Sequence, residues 1–125
     1  MRFFLLSLLL LLAAPLAAQD DTAAPKLKNH ETLDPLKYPG KALRQSAEGT
    51  VVLEVEVDEQ GRYLAHNFVS SASPLLDAAI EPYAPLLAFY PARQQGVAVP
   101  GIARIQFIFE IEKKVPRKTS ITIKY

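Results

Sequence analysis

The sequence predicts a small α+β domain: an antiparallel three-stranded sheet in the order β-β-α-β, a helix packed on one face, and room for a short fourth strand at the end. Three observations point there. Gly49 to Ser70, GTVVLEVEVDEQGRYLAHNFVS, holds two strand-like runs around an Asp58-Glu59-Gln60-Gly61 turn. Ser73-Pro74 opens an apolar stripe close to the helical period. Ile105, Phe107, Phe109 and Ile111 then share one face of a third strand, with Arg104, Gln106, Ile108 and Glu110 on the other.

The chain opens on Met1-Arg2, an apolar run from Phe3 to Leu12 and a small-residue exit, Ala13 to Ala18, broken by Pro15. Residues 1–18 therefore read as a secretory signal peptide cleaved near Ala18. A bilayer span needs roughly 20 apolar residues, so no stable membrane span is expected after cleavage and the exported product is expected to be soluble. With no cysteine, neither a disulfide framework nor a cysteine-attached lipid is available. Removing Arg2 from the 14 Lys and Arg leaves 13 bases against 13 acids, a neutral product that does not look like a nucleic-acid binder.

Residues 19–36 show no helical or strand period and are expected to form a flexible arm. Tyr38-Pro39-Gly40 is an extended-then-turn signal, and Lys41 to Glu48 can supply a helical turn. In the first strand Val51, Leu53, Val55 and Val57 are spaced to bury one face. Asp58 and Gly61 suit a tight hairpin, and the return strand runs from Tyr63 to Val69. Ser73 can cap the helix with Pro74 at its first position. The stripe continues through Leu76, Ile80, Tyr83, Leu87 and Tyr90, but Pro82 and Pro85 predict a kink or break between Glu81 and Pro85. The third strand spans about Ile102 to Glu112. In the basic tail, 113–125, five cations occur without an acid. Ser120 to Lys124 alternates weakly, so the tail either pairs as a fourth strand or stays solvated.

Residues 37–112 resemble the TonB C-terminal domain family. The resemblance rests on Tyr38-Pro39, Glu48-Gly49, Gly61, Ser70-Ser71, Leu76-Asp77 with Ala79, Phe89-x-Pro91-Ala92, Gly96 and a third strand closing at Phe109. It implies a non-catalytic periplasmic protein that binds an extended segment of an outer-membrane transporter, or of another envelope protein, by adding it to the edge of its sheet. Tyr38, Pro39, Arg104, Gln106 and Ile108 are then the expected partner-binding residues. Transducers of this kind keep an uncleaved membrane helix and a long proline-rich spacer, and neither is expected in convincing form here. The alternative is therefore a structural or regulatory envelope protein that transduces nothing, with a homodimer among its allowed states.

No other constellation competes. Glu54, Glu56 and Asp58 line the outer face of the first strand, and in a simple register Glu54 faces His66, a pattern better suited to cross-strand charge pairs than to a metal. No nucleophile-base pair or phosphate loop is recognisable, so the expectation is neither enzyme, nor cofactor, nor metal site. Tyr38 has two readings: a ring packed over the end of the sheet, or a contact with the bound segment.

Overall fold

The computed structural model describes residues 22–114 and 116–125; the leader lies outside the described residues. In chain order the elements are β1 (Lys26–Leu27), α1 (Gly40–Arg44), β2 (Gly49–Val57), β3 (Tyr63–Ser70), α2 (Pro74–Ile80), a 3-10 turn (Ala84–Leu86), β4 (Phe89–Tyr90), β5 (Ala92–Gln94), β6 (Val97–Val99), β7 (Gly101–Ile111) and β8 (Thr119–Lys124). The main sheet is antiparallel in the order β3-β2-β7-β8. The chain is therefore α+β, with the helices on one face of the sheet.

Alternation along β2 and β7 decides which face they cover. Val51, Leu53, Val55 and Val57 on β2 and Ala103, Ile105, Phe107 and Phe109 on β7 are buried. They meet Leu76 and Ile80 of α2, Ala84 and Leu87 beyond it, and Ala42 of α1. Each large side chain so buried contributes roughly 1.5–3 kcal/mol of transfer free energy. The opposite face carries Glu54, Glu56, Arg104, Gln106 and Glu110 and has no covering layer among the described residues.

Local chemistry sets the ends. Ser73 is extended, and its hydroxyl accepts a hydrogen bond from the Leu75 amide at 3.2 Å, capping α2. The helix stops at Ile80, and the chain continues through the Pro85-containing 3-10 turn, the break that Pro82 and Pro85 predict. In the hairpin, Asp58 takes the Gln60 and Arg62 amides on its side chain at 2.9 and 2.8 Å. Gly61 turns at φ 81° and passes so close to β4 that a Cβ there would lie 1.9 Å from the Phe89 carbonyl oxygen.

Three readings are corrected. Residues 22–28, within the expected arm, are docked: β1 pairs with β4, Ala23 bridges Arg93, and Pro25 and Leu27 are buried. The apolar stripe does not reach Tyr90 as helix: Phe89 and Tyr90 form β4, followed by the β5-β6 hairpin, whose register brings Gln94 opposite Val97. The simple β2-β3 register also fails. Irregularities between Val52 and Leu53 and between Glu56 and Val57 put His66 opposite Val55, while Glu54 faces Asn67.

Candidate functional site

The sheet has two edges, and they differ. On β3 the pairing jumps from Ser70 to Phe68 and from Ala65 to Tyr63, so Val69 and Leu64 are extra residues in an edge that is bulged twice. Bulges blunt an edge against further pairing. At the other edge β8 pairs regularly with β7, from Gln106 opposite Lys124 to Ile111 opposite Thr119. Its Ile121 and Ile123 pack against the core, and the Glu112 amide donates to Lys118 O at 2.6 Å to close the intervening loop. Of the two readings of the tail, pairing is the one found.

β8 leaves β7 from Gly101 to Ile105 without a partner on that side. Among the described residues the strand edge on this side of the sheet therefore consists of the outer side of β8 and this short stretch of β7. Arg104 stands in the uncovered stretch on the open face, its Nη2 3.1 Å from Glu54 Oε1. Gln106 and Ile108 share its face, opposite Lys124 and Thr122.

Tyr38 and Pro39 lie elsewhere. Pro39 occupies the N-cap position of α1 without a side-chain capping hydrogen bond. The Tyr38 ring meets Phe109 edge to face at 5.5 Å, and its hydroxyl donates to the Ala47 carbonyl. Burial, with the Glu48 carboxylate adding to it, raises the phenol above its ordinary value. Tyr38 thus packs over the end of the sheet. The five expected contact residues form two groups on opposite faces, Arg104, Gln106 and Ile108 on one and Tyr38 and Pro39 on the other.

Sequence reasoning missed what Glu48 and His66 do. The Glu48 carboxylate accepts the Ile111 amide at 2.6 Å and so holds the far end of β7. His66, turned inward by the register, lies between the Tyr63 hydroxyl at Nδ1 and Glu81 Oε2, 3.0 Å from Nε2. It ties β3 to the end of α2. A Glu81 fifteen residues away cannot be recognised as its partner until the bulge is known. Tyr83 packs edge to face on Phe107, and burial, followed by the Asp34 charge, raises its phenol. A shallow apolar groove of about 300 Å³ runs beside it, lined by Leu33, Pro35, Leu36, Pro82 and Leu86 among others.

A four-stranded antiparallel sheet with one layer of short helices and one open face is the build of a small α+β domain. A family model for the C-terminal domain of the Gram-negative bacterial TonB protein matches residues 34–111, and the chain belongs to that family. It is a TonB-like envelope protein, from a domain family that is non-catalytic. No curated protein matches it. No helix among the described residues is long and apolar enough to cross a membrane.

Proposed function

We propose that this protein is a periplasmic, non-catalytic module that binds an extended segment of an outer-membrane transporter, or of another envelope partner, by strand addition at the β7-β8 side of its sheet. The supporting observation is the contrast between the edges: β3 is bulged twice, whereas β7 and β8 are regular. A segment arriving along β7 would meet unpaired backbone beside Arg104 and then the strand β8. It either stacks outside β8 or takes its place against Gln106 and Ile108. Five or six backbone bonds at ~0.5–1.5 kcal/mol net each give about 3–8 kcal/mol before association costs, so millimolar to micromolar affinity is expected. Titrating the mature protein with TonB-box-like peptides while following backbone amides by NMR tests this. Shifts confined to Gly101–Ile111 and Thr119–Lys124 support it, and no shift at millimolar peptide refutes it.

The docked N-terminal segment favours a second reading for the whole protein, a structural or regulatory role without energy transduction. Only residues 19–21 lie between Ala18 and the docked segment, a reach of about 10–14 Å even when fully extended. A retained leader would hold the domain against the membrane, and a cleaved one would leave it untethered. Identifying the first residue of the exported protein separates these states. A start at Gln19 or Asp20 eliminates direct coupling through the chain's own helix.

A further inference from the structure

Residues 19–125 are formally neutral, yet their charges are not spread evenly along the sheet. β7 runs roughly 35 Å from Gly101 to Ile111, and β2 lies beside it with Gly49 opposite Phe109 and Val57 opposite Gly101. At the Val57 end stand Asp58 and Glu59 of the β2-β3 turn. At the Ile111 end the connection to β8 carries Lys113, Lys114, Arg117 and Lys118, all exposed. α1, with Lys41 and Arg44 exposed, leads into the same place: Ser46 and Glu48 share a cavity of about 240 Å³ with Ile111, Lys113 and Arg117. Among the described residues none of these six cations belongs to an ion pair. Three acids, Glu48, Glu110 and Glu112, stand near Lys118, and the Glu48 carboxylate is engaged by the Ile111 amide.

We infer that this basic end docks on the anionic headgroups of a phospholipid bilayer. The contact uses side chains at one end of the sheet and leaves the backbone edge of β7 and β8 to other partners. Its build favours an extended surface over a small anion. The cavity between Lys113 and Arg117 also presents Glu48, and every charged side chain that lines it is exposed, so nothing there fixes a single phosphate. Six exposed, unpaired cations on two neighbouring elements instead match a plane of negative charge. Each Lys or Arg brought to such a surface raises partitioning about fivefold, and the attraction fades within a Debye length of about 8–10 Å. The acidic β2-β3 turn, at the opposite end of β2, stays outside that layer. A neutral chain can therefore bind an anionic plane by one end.

Cosedimentation of the mature protein with vesicles tests this. Vesicles of phosphatidylcholine containing about one-third phosphatidylglycerol should retain it at low salt and release most of it at about 0.5 M sodium chloride, whereas pure phosphatidylcholine should retain none. Lys114→Gln/Lys118→Gln should lower the partition coefficient at least tenfold, and Lys113→Gln/Arg117→Gln should do the same. Gln60→Glu/Gln94→Glu, on the distant β2-β3 and β5-β6 hairpins, changes the net charge equally and should alter partitioning by less than about twofold. All three double variants should keep the parent's urea midpoint, because every substituted side chain is exposed. No retention at low salt, equal retention by the two vesicle types, or equal loss in the loop and hairpin variants overturns the assignment. Retention on purified peptidoglycan sacculi but not on vesicles overturns it as well.

Discussion

At the residue scale, the β2-β3 turn concentrates the most specific chemistry. Asp58 has its carboxyl held below the ordinary value chiefly by the Arg62 backbone amide; burial opposes this, and the Gln60 amide and the Arg62 side chain add to the lowering. A carboxylate whose folded pKa is depressed contributes stability that is present above its ordinary value and lost as pH falls through the folded one. Urea unfolding followed from neutral pH into the acid range should therefore show a loss below about pH 4 that Asp58→Asn flattens. Gly61→Ala meets both a left-handed φ and the Phe89 carbonyl, and should cost at least about 2 kcal/mol in the same assay. The β5-β6 turn places Gln95 at φ 50° and Gly96 at φ 76°, a pair of positive angles that a two-residue hairpin turn favours in Asn-Gly. Gln95→Asn should raise stability by about 0.5 kcal/mol.

At the element scale, the sequence was readable where one period ran long enough to be seen. β2 and β7 alternate over whole strands, Ser73-Pro74 signals the start of α2, and Pro82 and Pro85 signal its end. β1 escaped because its signal is only two buried positions, Pro25 and Leu27, alternating with Lys26 and Lys28. β5 and β6 escaped because Gln95 replaces the usual asparagine in their turn. The side of the sheet carrying His66 is not legible in the sequence, because β3 alternates poorly and a one-residue bulge reverses the side on which every following residue lies. Of the expected contact residues, Arg104, Gln106 and Ile108 fall on one strand face, as alternation implies. Tyr38 lies beside neither edge, because its place depends on the path of residues 28–39. The docking of β1 yields a direct test. Leu27→Ala should cost about 2–4 kcal/mol as a core truncation, whereas Leu64→Ala on the bulged edge should stay within about 0.5 kcal/mol. Near-equal small effects, read by chemical denaturation, would return residues 22–28 to a free arm.

At the scale of the whole molecule, the edge proposed to take a partner strand is largely covered by the chain's own tail. β8 takes the pairing positions of Gln106 to Ile111, and its alternating Ile121 and Ile123 give it a reason to stay. The family match ends at residue 111, so this strand lies outside the matched range, joined by a loop carrying Lys113, Lys114, Arg117 and Lys118. Displacing it exposes an edge that would otherwise invite aggregation, so solubility and binding should respond together. The most direct measurement is the affinity of a TonB-box-like peptide for the mature protein with and without residues 113–125, read from β7 amide shifts. Masking by β8 predicts binding tighter by about tenfold, or ~1.4 kcal/mol, together with lower solubility after deletion. Unchanged affinity and unchanged solubility would contradict it.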